Sequence, residues 1–267
     1  MLVALLVSLL AGLATSVGGA LALGRRTLER SWLAVALAFA AGAMILVSLV
    51  QILPLGIGLL ARQFDAMPAT ALGYGSFFVG IGIVLLIDRL LPEPLNPNET
   101  EGREGEVWTG EGSHTRRLLR SGLLVALVLA LHNLPEGMAT FFTMYADPQV
   151  GLTLAVAIAI HNVPEGIAVA APVYAATRSR ARAFWWATAS GLAEPLGGLL
   201  AAGLVSFVMP PALFGLFYGV VAGMMIFLAL DELLPGAWRY QTDKHQTVYG
   251  MLAGMAVVAA SLVLFAG

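Results

Sequence analysis

Long apolar runs separated by short polar breaks make up most of the chain. Eight fall at roughly 2–23, 32–58, 70–91, 118–144, 150–174, 184–207, 211–234 and 247–266. A helix needs about 20 apolar residues to cross the hydrocarbon of a bilayer, and each run is long enough. A helix also satisfies its backbone hydrogen bonds internally, which lipid cannot do for it. A transmembrane barrel would instead show strands of about ten residues with alternating polarity, and no segment alternates in that way. The pattern predicts an all-α integral membrane protein of eight transmembrane helices, with residues 1–267 forming a single transmembrane domain. The opening MLVALLVSLLAGLA lacks a basic leader and stays apolar for too long to be a signal peptide, so it reads as the first span, retained.

Composition narrows the class. Hydrophobic residues are 59% of the chain and charged ones 11%, and mean hydropathy is +0.86, which excludes a cytosolic enzyme. A net charge of -2 with scattered basic residues gives no stripe for nucleic acid, and the absence of cysteine removes disulfide and thiolate chemistry. The basic residues are strongly one-sided. Arg25, Arg26 and Arg30 lie between spans one and two, and Arg89, Arg103, Arg116, Arg117 and Arg120 between three and four. Arg178, Arg180 and Arg182 lie between five and six, Arg239 and Lys244 between seven and eight, and Arg62 alone falls on the other side. Because cytoplasmic loops are enriched in Lys and Arg, both termini are expected outside the cytoplasm of a bacterial inner membrane. The one long connection, 92–117, is rich in Pro, Gly and Glu and carries Glu93, Glu99, Glu101, Glu104, Glu106, Glu111 and His114. It is expected to be a flexible, acidic cytoplasmic loop, read as a solvated linker or as a weak cation reservoir.

The chemistry lies in polar residues at membrane depth, where an ionisable group is costly and marks a path, a relay or a counter-ion. Span four contains HNLPEG (His132 to Gly137) and span five contains HNVPEG (His161 to Gly166). A turn near Tyr145 to Gln149 makes the two helices antiparallel neighbours, so the hexapeptides meet near the midplane. Residues i and i+4 share a helix face, which aligns His132 with Glu136 and His161 with Glu165. Asn133 and Asn162 border the same faces. Pro135 and Pro164 each remove a backbone donor and bend the helix, freeing the carbonyls of Leu131 and Ile160. Imidazole, carboxylate and amide oxygen together suit Zn2+ or another first-row divalent ion.

Glu194, in SGLAEPLGG midway along span six, adds a third carboxylate. Three unpaired glutamates would cost on the order of 9 kcal/mol. With no Lys or Arg at that depth, a bound metal ion or protons must supply the positive charge. A polar knot that only joins helices is the bland alternative, and the duplication argues against it. Asp231 and Glu232, in DELLP at the expected cytoplasmic end of span seven, are a candidate exit or an ordinary helix-end charge. Gln51 and Asp65 are candidate entrance groups. Gly18, Gly19, Gly73, Gly75, Gly80, Gly82, Gly197 and Gly198 are read as close-packing positions. Trp185, Trp186 and Trp238 are read as interfacial anchors, and Met44, Met224 and Met225 as packing rather than soft ligands.

The paired hexapeptides, GIAVAAPVYAAT, SGLAEPLGG and DELLP, with FAAGAMILVSL in span two and LGYGSFF in span three, resemble the ZIP (Zrt/Irt-like) family of divalent metal transporters. Within it, they look most like the bacterial zinc-uptake members. The resemblance extends over nearly the whole chain apart from 92–117. It implies eight spans with outward termini, an inverted relation between spans one to three and six to eight, and a metal path through spans four and five. It also implies that His132, Asn133, Glu136, His161, Asn162, Glu165 and Glu194 are the ligands. Some relatives hold two metals and have a carboxylate where Asn162 stands, so one or two ions are expected. Similar members carry Glu in place of Gln51 and a His-rich loop in place of this acidic one. The function expected is transport of Zn2+, with Fe2+, Mn2+, Co2+ and Cd2+ as further candidates, into the cytoplasm by alternating access. The metal is cargo, not cofactor. Expected partners are divalent metal ions and membrane lipids, with a homodimer as a candidate assembly. Two other classes stay in view, a membrane-embedded metalloenzyme and a proton-coupled solute carrier. The HExxH and paired ExxH patterns of the first are missing.

Overall fold

The computed structural model describes residues 1–24, 29–90, 130, 133–206 and 211–264. The 92–117 connection, Arg25 and Arg26, and His132 with the first part of the fourth span lie outside the described residues. Among the described residues the regular structure is entirely helical. The helices are α1 (Leu2–Leu21), α2 (Arg30–Val47), α3 (Leu53–Leu60), α4 (Ala66–Leu90), α5 (133–146), α6 (Pro148–Thr177), α7 (Arg180–Gly191), α8 (Ala193–Ser206), α9 (Pro211–Leu228), α10 (Leu234–Tyr240) and α11 (Gln246–Leu264). Among the described residues, seven helical stretches are long and apolar enough to cross a membrane. The fourth expected span is described only from Asn133 onward, apart from Ala130.

Local chemistry sets the boundaries. Asp147 caps α6 by accepting from the Gln149 and Val150 N–H groups at 3.0 and 3.2 Å, with Pro148 in the first turn where its missing donor costs nothing. At the other end Arg178 adopts the left-handed conformation (φ 52°) and donates its N–H to the Tyr174 carbonyl. Ser179 then caps α7 by accepting from the Arg182 N–H.

The prolines within spans act in three ways. Pro164 is accommodated in α6, which runs on as one helix. Pro54 and Pro235 are each preceded by a π-turn, Ser48–Ile52 and Ala229–Leu233, whose wider turn accepts the ring without ending the helix. Spans two and seven therefore reach Leu60 and Tyr240. This corrects the sequence-based bounds: Asp231 and Glu232 sit in the π-turn, half-buried and well before the end of span seven, and Gln51 lies buried inside span two. Pro195 breaks span six at Leu192, between α7 and α8. Its missing N–H leaves the Gly191 carbonyl without the usual donor four residues on.

The helices pack in two sets, α2 along α11 with α4 along α9, and α1 along α6, α7 and α8. Close approach follows the glycines. A methyl on Gly42 would fall on the Met251 carbonyl, and one on Gly254 on that of Phe39. The other pair repeats this arrangement, Gly223 against Phe77 and Gly80 against Val220. The α2–α11 and α9–α4 pairs are thus equivalent, and each of α2 and α9 leads into a π-turn. Gly12 and Gly191 meet reciprocally, each pointing at the other's carbonyl oxygen. These exchanges are the contacts of an inverted repeat in which spans one to three match spans six to eight. Gly18, Gly19, Gly80, Gly197 and Gly198 pack as expected, whereas Gly75 and Gly82 have no atom within 4 Å. Those two face away from the bundle and are not packing positions in the described chain. Met44 and Met225 are fully buried in the apolar core and Met224 packs against it.

Candidate metal centre

α5, α6 and α8 converge where the apolar bundle is interrupted by polar groups. Asn133 and Glu136 come from α5, His161, Asn162 and Glu165 from α6, and Glu194 from the first turn of α8, and all six are fully buried. Among the described residues, these three glutamates are the buried carboxylates, and no Lys or Arg is buried. The candidate sites in the sequence thus come together from three helices, and His132 lies outside the described residues.

Two direct contacts organise the cluster. His161 Nε2 lies 3.0 Å from Glu136 Oε1, and its Nδ1 lies 3.1 Å from the Ala157 carbonyl. A carbonyl only accepts, so Nδ1 carries a hydrogen and donates it. Nε2 and Oε1, each carrying a lone pair, then face one another across 3.0 Å, a spacing that a shared proton or a cation bound to both atoms would satisfy. In the second contact, Asn162 Nδ2 donates to Glu194 Oε2 at 2.7 Å. Glu136 and Glu165 are near enough to Glu194 for their charges to interact with it.

The two amides are held alike. Asn162 Nδ2 also donates to the Ala11 carbonyl at 3.0 Å, and Asn133 Nδ2 to the Ser190 carbonyl at 3.2 Å. Both donors face backbone or Glu194, and both Oδ1 atoms are buried with no hydrogen-bond partner among the described residues. Among the described residues, no three His, Asp or Glu side chains already surround one point at ligand distance. The cluster instead closes on itself as a His–Glu pair and an Asn–Glu pair.

The close approach of the backbones is built into the same hexapeptides. A methyl on Gly137 would fall on the Glu194 carbonyl and one on Gly166 on that of Thr15, while Gly197 and Gly18 face Leu134 and Val163 in return. The terminal glycine of each HNxPEG lets a neighbouring helix lie directly on it. The role of the Ala11 and Ser190 carbonyls as amide anchors was not read from sequence. The repeat AGLATSVGG (11–19) and SGLAEPLGG (190–198) carried that signal.

A family model described as ZIP Zinc transporter matches residues 93–262. The chain is 48% identical over 258 residues to "Zinc transporter ZupT" of Corynebacterium aurimucosum, covering 96% of this chain and 95% of that protein. It is 46% identical over 267 residues to the protein of the same description from Corynebacterium glutamicum, covering 99% and 100%. With that of Neisseria meningitidis serogroup B the identity is 47% over 263 residues, covering 98% and 96%.

Proposed function

The chain belongs to the ZIP zinc transporter family, and from that premise we propose that it carries Zn2+ across the bacterial cytoplasmic membrane into the cytoplasm through the buried cluster on α5, α6 and α8. It is a multi-pass membrane transporter and not an enzyme, which sets aside the metalloenzyme and organic-solute readings. Glu136, His161, Glu165 and Glu194 supply charge and nitrogen, and Asn133 and Asn162 supply neutral oxygen. His132 is the seventh ligand of this reading. Fe2+, Mn2+, Co2+ and Cd2+ share the donor preferences and are candidate cargo. Both termini lie outside the cytoplasm, and 92–117 is the cytoplasmic loop between spans three and four.

The observation that carries the reading is the 3.0 Å His161–Glu136 contact at full burial. A histidine and a carboxylate held together at that depth would offer nitrogen and negative charge to a dication. Alternating access fits the two packing sets, since the cluster belongs to the set built on α1 and α6. In proteoliposomes the wild-type protein should accumulate zinc, and a His161→Ala, Glu165→Ala variant should not. Equal accumulation by the two would refute the assignment of the site, and no accumulation by the wild type would refute zinc transport.

A further inference from the structure

Thr15 occupies in span one the place that Glu194 occupies in span six. Aligning AGLATSVGG with SGLAEPLGG pairs Ala11 with Ser190, Gly12 with Gly191 and Thr15 with Glu194, and four sets of contacts obey this pairing. The Thr15 carbonyl rests on Gly166 as that of Glu194 rests on Gly137. A methyl on Gly191 would come within 2.8 Å of Thr15 Cβ, and one on Gly12 within 3.1 Å of Glu194 Cβ. Gly18 faces Val163 as Gly197 faces Leu134. The Ala11 carbonyl anchors Asn162 as the Ser190 carbonyl anchors Asn133.

The hydroxyl of Thr15 is free for a further role. Thr15 is fully buried, and its Oγ1 has no hydrogen-bond partner among the described residues. A threonine within a helix ordinarily donates back to the carbonyl four residues earlier. Thr143, Thr153 and Thr177 do so here, to Ala139, Gln149 and Val173. For Thr15 that acceptor is the Ala11 carbonyl, which already takes the Asn162 amide at 3.0 Å. Thr15 is thus one of three buried helix threonines, with Thr140 and Thr188, whose hydroxyl has no partner among the described residues, and it is the one whose own turn tethers a candidate ligand. Its surroundings belong to the same cluster, because the Thr15 carbonyl lies on Gly166, next to Glu165. Its Oγ1 abuts Gly191, next to the Ser190 carbonyl that holds Asn133.

Resting on the transport reading above, we propose that Thr15 Oγ1 is a further oxygen ligand of the transported dication, contributed by span one opposite Glu194. A hydroxyl adds a hard donor without adding charge. It biases the site toward ions that favour oxygen, so Thr15 sets the balance between Mn2+ and Zn2+.

The test uses the full chain in proteoliposomes, with initial uptake of Zn2+ and of Mn2+ measured separately and metal-free thermal melting in detergent as a control on packing. Thr15→Val keeps the shape and removes the hydroxyl. It should raise the KM for Zn2+ on the order of fivefold, as expected for about 1 kcal/mol of lost interaction. Mn2+ uptake should fall further still, raising the Zn2+ to Mn2+ rate ratio, and Thr15→Ser should restore both. If Thr15→Val does not fold, Thr15→Ala should show the same altered ratio. An unchanged ratio in a folded hydroxyl-free variant, or equal losses for both metals accompanied by a lower metal-free melting point, would overturn the proposal. Failure of the wild type to take up zinc would instead overturn the transport reading, and it is distinguishable because the wild type is measured first.

Discussion

Replacing Gly166 with alanine tests whether the second hexapeptide is shaped by the helix lying on it. The added methyl would fall on the Thr15 carbonyl oxygen and within 2.9 Å of both Gly19 N and Thr15 C, where ordinary contact begins at 3.4 Å. These are backbone atoms, so no side-chain rotation relieves the overlap. α1 must withdraw by at least roughly half an ångström, and by more along the line to the oxygen, at an overpacking cost of about 1–3 kcal/mol. The gain in helix propensity from Gly to Ala returns at most about 1 kcal/mol. The same withdrawal stretches the 3.0 Å bond from Asn162 to the Ala11 carbonyl, and such bonds weaken beyond about 3.2 Å. Gly166→Ala should therefore lower the thermal midpoint in detergent and reduce zinc uptake. Gly82→Ala, with no atom within 4 Å of its methyl, should change neither. A Gly166→Ala protein that melts and transports like the wild type, or a Gly82→Ala protein equally damaged, would refute the reasoning.

Three other outcomes follow from the cluster. Glu136→Gln removes the charge that faces His161 at 3.0 Å. Metal affinity, read from the zinc-induced rise in melting temperature, should fall by at least the roughly 10- to 100-fold seen when even an outer partner of a metal ligand is lost; an undiminished rise would count against Glu136 as a ligand. Asn162→Asp puts a second carboxylate where the amide now donates to Glu194 at 2.7 Å, so the metal-free protein should become less stable while zinc stabilises it more. A variant more stable than wild type without metal would contradict that assignment. Acid should weaken zinc binding, because protons compete for His161 and the carboxylates: binding is strongest where these groups are deprotonated and declines as pH falls. Titration of zinc at neutral and acidic pH, with proton release measured in unbuffered solution, checks the sign; binding at acidic pH without proton release would contradict competition between protons and metal for these groups.

The spans were legible because lipid leaves a chain few options, and length and apolarity settle most of the outcome. Glu136, His161, Asn162 and Glu194 were legible for the complementary reason, that polar groups at that depth need a purpose. What each proline does was not legible. Pro164 continues a helix, Pro54 and Pro235 follow π-turns, and Pro195 sits at a break. The missing donor is the same in every case, and tertiary packing chooses among bend, bulge and break. At Pro195 that packing is visible, since the stranded Gly191 carbonyl lies against Gly12 of α1. For the same reason the end of span seven was placed too early, at Leu234, because Leu-Pro reads as a stop unless a wider turn absorbs it. Gly75 and Gly82 show the reverse error. Glycine permits close approach but does not require it, and the partner helix decides.

The repeat also explains why the centre is lopsided. Backbone contacts obey the exchange of span one with span six closely enough that Ala11 and Ser190 hold equivalent asparagines, yet the position that is Glu194 on one side is Thr15 on the other. A symmetric centre with a fourth carboxylate would add another buried charge for a passing dication to offset. It would also hold that ion more tightly, and an ion in transit has to leave as readily as it enters. On the proposed reading, three carboxylates with neutral amide and hydroxyl oxygens would provide coordination without that excess of charge. The symmetry of the frame brings the candidate ligands together, and on the proposed reading its breaking at the Thr15–Glu194 pair, one of four positions at which the two repeats differ, limits how strongly they would hold.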